Sequence, residues 1–288
     1  MLGPLLFLMY INDLPLDITS SILLFAYDCI MYLGLSSMES PQLLQADLNT
    51  LSKWAEIWQM RFNSDKCFVM YLSRSKTPVR STYFLGSTAL KEIASHPYLG
   101  ITLSSDLRFN EHCDKVSKKA GKMLNFISRN FYHCTRDVKS KLYLSLVRPI
   151  MEYAVAAWDP YTQRNIIALE KVQRRAARFA VRDYSRGSSV SQMLTELQWP
   201  LLADRRKNHR LRFMFKATRG LNSIALSNYT TITASTTRHK HNLHFDHHYA
   251  RTDVYKYSFF PRTIPAWNAL SKDLIESKSL AIFNSKLG

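Results

Sequence analysis

Two stretches of this chain wind into helices that separate apolar from cationic residues almost completely. In 113–130, Val116, Ala120, Met123, Leu124 and Ile127 share one face, while Lys115, Lys118, Lys119, Lys122 and Arg129 gather on the other. In 164–182, Ile166, Leu169, Val172, Ala176, Phe179 and Ala180 lie opposite Arg164, Lys171, Arg174, Arg175, Arg178 and Arg182. An ordinary solvated face mixes both signs of charge, and here acids are nearly missing. Each helix must bury one side and turn a cationic side outward. The centre of the chain is therefore helical, basic and suited to contact with a phosphate backbone.

The rest of the 288 residues do not share this bias. Residues 1–103 hold 7 Lys/Arg against 8 Asp/Glu, residues 104–220 hold 24 against 10, and residues 221–288 hold 8 against 4. One segment carries nearly all of the formal charge of +17, which points to a polyanionic partner, nucleic acid or an anionic membrane surface. With 46% hydrophobic and 21% charged residues, the chain can pack a core and is not globally disordered. Cys29, Cys67, Cys113 and Cys134 lie far apart with no CxxC, against both a disulfide scaffold and a Cys-pair zinc site. The apolar run Leu2 to Ile11 falls short of the roughly 20 residues that span a bilayer and lacks a basic leader. No membrane is expected as a partner, and nuclear or cytoplasmic residence follows by default.

Gly3-Pro4 opens a short apolar helix, expected to be buried, and it starts so abruptly that its natural neighbours are expected to lie outside this sequence. Ile22–Ala26 and Cys29–Leu33 read as the arms of a β-hairpin with Tyr27-Asp28 at its tip. Two-residue tips favour Asn-Gly or Asp-Gly because their backbone needs positive φ, so Tyr-Asp is poor turn chemistry. A carboxylate held there is either a turn former or a functional group. Leu44, Leu48, Leu51, Ala55 and Trp58 predict a helix over 39–62, and short strands follow at 68–72 and 98–103. Ser185–Ser189 reads as a linker and 201–219 as a further basic helix. The stretch 227–248, with His239, His241, His244, His247 and His248, could bind metal or RNA, although a flexible polar loop is the simpler reading. The pairs His112-Cys113 and His133-Cys134 cannot share a zinc ion if 113–131 is one helix, because the rise separates them by about 30 Å.

Leu2-Gly3-Pro4-Leu5-Leu6-Phe7-Leu8-Met9-Tyr10-Ile11-Asn12-Asp13-Leu14-Pro15 resembles the GPLLF-x-x-YINDLP stretch of reverse transcriptases from non-LTR (LINE-like) retrotransposons. Leu24-Phe25-Ala26-Tyr27-Asp28 is similar to their LFADD catalytic hairpin, and Leu48, Trp54 and Trp58 followed by Asn63-Ser64-Asp65-Lys66-Cys67 to the next motif. Tyr98-Leu99-Gly100-Ile101 resembles the hairpin that grips the primer, Leu146–Ala154 and Leu169–Arg178 resemble the thumb, and Phe259–Asn268 resembles the usual end of these proteins. Order and spacing are kept over nearly the whole chain, in the manner of CR1/jockey-type elements.

The resemblance implies an α+β fold: a partial polymerase palm at 1–104, a helical basic thumb at 105–186 and a C-terminal region of helix and loop at 187–288. It implies RNA or DNA as partner, Mg²⁺ as the family's cofactor, Asp28 as a metal ligand, and Lys66 as a cation beside the departing pyrophosphate. It also implies primer contact at Tyr98, Leu99 and Gly100. The plainer readings are a solvated Lys66 and an ordinary strand turn. Polymerisation uses two metal ions about 4 Å apart, held by converging carboxylates. LFADD requires Asp where this chain has Tyr27, whose phenol, with a reference pKa of about 10, is neutral at pH 7. The fingers and first aspartate motif, which the family places ahead of residue 1, are not in this sequence. The expectation is a truncated chain that does not hold Mg²⁺ productively and does not polymerise. Its rivals are an active polymerase with fingers supplied in trans, a non-catalytic nucleic-acid-binding protein and an element fragment with no selected role.

Overall fold

The computed structural model describes residues 2–35, 39–75, 80–233 and 241–288. It is of the α+β kind, with small sheets early and helices afterwards, in two compact units, Met1–His96 and Pro97–Gly288.

In the first unit, α1 (Leu2–Tyr10) forms where Gly3-Pro4 opens the apolar run. The helix is as expected, but its burial is not: Leu2, Leu5, Leu6, Leu8 and Met9 are exposed. A helix apolar on every side needs cover all round. Here contact comes at its end, where the Tyr10 hydroxyl donates to the Trp58 carbonyl and the Tyr10 ring meets Trp54 and Trp58 edge-on.

β1 (Ser21–Phe25) and β2 (Asp28–Tyr32) form the expected antiparallel hairpin, with Phe25 opposite Asp28. Its tip lies one residue earlier than expected, at Ala26-Tyr27, with Ala26 at φ +51°. Asp28 is thus the first residue of β2. The cause is register: this pairing turns Ile22, Leu24 and Met31 into one cluster with Leu44, Leu48 and Leu51 of α2 (Ser40–Ile57). A slip of one residue would turn one strand's inward set outward. The hairpin packs on this helix on one face only, since Leu23, Phe25 and Tyr32 are exposed. α2 stops short of the expected residue 62, and Gln59 takes φ +53° just beyond it. Buried Asp47 of α2 accepts the backbone N–H groups of Thr19 at 3.0 Å and Ser20 at 2.7 Å, tying the entry of β1 to the helix. A 3₁₀ turn at Ser64–Lys66 leads to β3 (Phe68–Val69), β4 (Phe84–Leu85), β5 (Thr88–Ala89) and β6 (Lys91–Glu92), where β3 pairs parallel with β6 and β4 antiparallel with β5.

β7 (Ser95–Tyr98), in which the division between the units falls, pairs with β8 (Ile101–Ser104). The second unit continues with α3 (Asn110–Asn130), α4 (Arg136–Leu142), a π-helical turn at Tyr143–Val147, α5 (Arg148–Glu152), α6 (Val155–Trp158) and α7 (Gln163–Val181). Then come α8 (Val190–Glu196), α9 (Leu202–Thr218), α10 (Asp253–Lys256), α11 (Phe259–Asn268), α12 (Lys272–Ile275) and α13 (Leu280–Leu287). Thr135, Ser189, Thr252, Ser271 and Ser279 cap α4, α8, α10, α12 and α13 through side-chain oxygens that accept an N–H of the first turn. Among the described residues, no helix is long and apolar enough to cross a membrane.

The apolar faces of α3 and α7 meet as the sequence requires. Val116, Ala120, Leu124 and Ile127 pack in one core with Leu169, Val172, Ala176, Phe179 and Ala180, closed by Tyr143 and Trp158. A second core joins Leu211, Met214 and Phe215 of α9 to Ile264, Trp267 and Phe283. The basic helix expected at 201–219 is α9, but much of its charge faces inward. Buried Asp159 takes Arg206 Nε at 2.9 Å, Arg210, and Arg262 Nη1 at 3.3 Å. Glu152 takes Arg205, with Arg148 Nε at 3.8 Å. Several cations of the basic block therefore neutralise internal carboxylates instead of facing a partner.

Glu152 gives a pH prediction. Burial pushes its carboxyl up, but hydrogen bonds from Arg205 and His209 and the charges of Arg205 and Arg148 outweigh that and hold it at about 2, against an ordinary 4.5. A pKa lowered by folding stabilises fully above 4.5, and the contribution, roughly 3 kcal/mol, is lost as pH falls towards 2. Urea unfolding should therefore show the gap between the unchanged chain and Glu152→Gln narrowing from pH 7 to pH 3. An equal gap at both pH values would remove Glu152 from the acid limb.

Candidate nucleic-acid interface

α3 and α7 run parallel, and three contacts with a constant sequence offset of 50 fix their register. Arg164 donates to Asp114 at 3.0 Å, Arg175 to Asn125 at 2.6 Å, and Arg182 to the Tyr132 carbonyl at 2.5 Å. Because both helices bury their apolar faces in one core, their cationic faces emerge side by side. Between them runs an open groove of about 630 Å³, with Lys118 and Lys122 on the α3 wall and Arg164, Lys171 and Arg175 on the α7 wall. Ser117, Gly121, Asn125, Ile167, Ala168 and Val172 complete the lining. Two cationic faces that were separate in the sequence thus become one surface.

The other basic residues singled out in the sequence lie outside this lining, are paired, or have structural duties. Lys119, Arg129 and Arg174 are exposed on α3 and α7 outside the lining. Lys115 is exposed but paired with Glu111 at 2.7 Å. Arg178 is half-buried and donates to the carbonyls of Asp183, Ser185 and Ser188, holding the linker after α7. Arg182, at φ +61°, ends α7 and donates to the carbonyls of Tyr132 and Cys134.

At the hairpin, Asp28 is half-buried and Tyr27 is 85% exposed at the tip. Lys66 is exposed at the end of its 3₁₀ turn. The two segments approach one another: Cys29 is exposed, but the packing around its sulfur pushes the thiol up to about 11, and the neighbouring Cys67 thiol adds to the shift. Among the described residues, no group of three or more His, Cys, Asp or Glu side chains could hold a metal ion. The donor set at the hairpin, one carboxylate beside a phenol, does not fit a two-Mg²⁺ centre.

Tyr98 ends β7, and Leu99 and Gly100, at φ +46° and +81°, form a tight turn into β8, so the single strand expected over 98–103 is two strands around a turn. A Cβ at Gly100 would lie 3.0 Å from the Tyr153 ring, whose hydroxyl donates to the Leu99 carbonyl at 3.1 Å, so this position needs glycine twice over. His112 and Cys113 are core residues. The Thr102 N–H donates to His112 Nδ1 at 3.1 Å, and burial pushes the imidazole down to about 4 and the Cys113 thiol up to about 12. In the histidine-rich stretch, His241 is buried, and its ring lies 5.7 Å from that of His244. His239 lies outside the described residues.

Comparison with known proteins supplies the setting. The chain is 23% identical over 240 residues to the RNA-directed DNA polymerase from mobile element jockey of Drosophila melanogaster, covering 78% of this chain and 26% of that protein. It is also 23% identical over 193 residues to the probable RNA-directed DNA polymerase from transposon X-element of the same organism, covering 62% of this chain and 20% of that protein. The chain is similar to part of a retrotransposon reverse transcriptase. It spans about a quarter or less of the length of these curated relatives of reverse-transcriptase type. No family model matches the chain, and no solved structure matches it.

Sequence reasoning on this reverse-transcriptase relative missed the uncharged lining of the groove, Ser117, Gly121, Asn125 and Ala168. Small and polar residues between cations carry no signal until the facing helix is known. It also missed the pairing of Arg206 and Arg210 with Asp159, although their spacing of four residues on one helix face was visible.

Proposed function

We propose that this chain is a nucleic-acid-holding part of a retrotransposon reverse transcriptase, and that it does not polymerise. On this reading, 1–104 is a partial palm, 105–186 the thumb and 187–288 the C-terminal region, with RNA or DNA along the α3/α7 groove. Asp28 is what remains of the metal-binding pair, Lys66 stands near the former pyrophosphate position, and Tyr98-Leu99-Gly100 lies against the primer. The single observation that carries the reading is the convergence of Lys118, Lys122, Lys171 and Arg175, with Arg164 held beside them by Asp114, on one groove whose lining has no acidic residue. The printed activity of the two relatives favours an active polymerase as the second reading. Tyr27, where the resemblance requires a carboxylate, stands against it.

Salt dependence tests the holding function. Each phosphate neutralised on a single strand contributes about −0.7 to the slope of log affinity against log salt, so three to five contacts give about −2 to −3.5. Fluorescence anisotropy with labelled single-stranded RNA and DNA over a salt series should read a slope in that range, with little sequence preference. A flat response, or no binding at low salt, would reject the groove as a phosphate track.

A further inference from the structure

Beyond Arg175 the cationic edge of α7 continues through Arg178 to Arg182, seven residues and about 10 Å along the helix axis. It ends at two tyrosines from different segments. Tyr132 follows α3 and is 50% exposed, and Tyr184 follows α7 and is 59% exposed. Arg182 links them: its guanidinium reaches the Tyr132 carbonyl, and Tyr184 follows it by two residues, between the Asp183 and Ser185 carbonyls that Arg178 holds. The Arg182 guanidinium lies 5.3 Å from the centre of the Tyr132 ring, and His133 meets the same ring edge-on at 5.2 Å.

The backbones that carry both rings are fastened by α7. Arg182 holds the carbonyls of Tyr132 and Cys134, and Arg178 holds the carbonyls of Asp183, Ser185 and Ser188 on either side of Tyr184. Large half-exposed aromatic rings on clamped backbone, beside an unburied guanidinium, lose little freedom when a flat partner settles on them. The groove itself has no aromatic residue in its lining, so it can follow phosphates but cannot stack bases.

We propose that Tyr132 and Tyr184 form a stacking site for an unpaired base at the Arg182 end of the groove. The ligand is then a strand whose phosphates lie along α3 and α7 and whose single-stranded tail leaves past the tyrosines. This rests on the groove being a nucleic-acid track. Aromatic side chains are sequence-tolerant platforms for bases, and losing one typically weakens binding roughly 5- to 100-fold.

The test compares a blunt duplex with the same duplex carrying a single-stranded tail, as DNA and as RNA, on the full chain. The unmodified chain should prefer the tailed duplex. Tyr184→Leu and Tyr132→Leu should each remove most of that preference, leaving blunt-duplex affinity and its salt slope unchanged, while Tyr184→Phe and Tyr132→Phe keep it. If Tyr132→Leu lowers the melting temperature, Tyr184→Leu decides, together with quenching of a fluorescent adenine analogue in the tail by the unmodified chain. Equal affinity for blunt and tailed duplexes, or an unquenched analogue, overturns the stacking site while salt-dependent binding leaves the groove standing. Absence of salt-dependent binding to every probe overturns both.

Discussion

Reversing Lys118, Lys122 and Lys171 to Glu together should weaken binding of a labelled oligonucleotide by roughly 10²- to 10³-fold near 0.1 M salt. Two unit charges 4 Å apart in water attract by about 1 kcal/mol, so a reversal that replaces attraction with repulsion changes roughly twice that per site before screening. With a Debye length near 10 Å, three partly screened sites leave about 3–4 kcal/mol. Lysines are chosen over neighbouring arginines for a structural reason. Arg178 and Arg182 fasten carbonyls around Tyr184 and Tyr132, so reversing them would disturb the fold as well as the charge. The control reverses three exposed lysines outside the groove lining, Lys53, Lys91 and Lys278, and has the same net charge. Anisotropy titrations of the two triple variants decide the matter. Equal losses would mean that binding follows overall charge and that the groove has no special part in it.

The chain should extend no primer on an RNA template with Mg²⁺ or Mn²⁺, and Tyr27→Asp alone should not restore extension. Divalent metals at a phosphoryl-transfer site neutralise the attacking and leaving oxygens, and carboxylates must hold them against water. The hairpin offers Asp28, half-buried as the first residue of β2, beside the almost fully exposed Tyr27 phenol. Removing charge stabilisation from a transition state commonly costs 10²- to 10³-fold per group, and a site lacking most of its carboxylates loses more. Incorporation of labelled nucleotide should stay at background, at least about 10³-fold below an active reverse transcriptase. Tyr27→Asp adds one carboxylate, while no group of three or more potential metal-ligating side chains exists among the described residues to complete a centre. Template-dependent incorporation by the unmodified chain, abolished by Asp28→Ala, would make it an active polymerase and overturn this reading.

Features set by neighbours in the chain were legible from residues alone. The alternation of apolar and cationic residues in α3 and α7 named the buried faces, and Val116, Ala120, Leu124, Ile127, Leu169, Val172 and Phe179 are in the core. The β1–β2 hairpin and the basic helix α9 were equally visible, because apolar period is a local property, whereas the turn at Leu99-Gly100 fell inside a stretch whose residues read as one strand. Tertiary structure alone decided which faces meet. The parallel register of α3 and α7, with its offset of 50, turns two cationic stripes into one groove, and no local pattern specifies a partner that distant. Burial against α2 moved the hairpin tip by one residue and placed Asp28 in a strand. The pairing of Arg206 and Arg210 with Asp159 took cations out of the surface charge, because a buried carboxylate must be neutralised wherever the fold brings a guanidinium to it. Periodicity acts over one turn of helix or two residues of strand, whereas charge compensation and core closure act across the folded molecule.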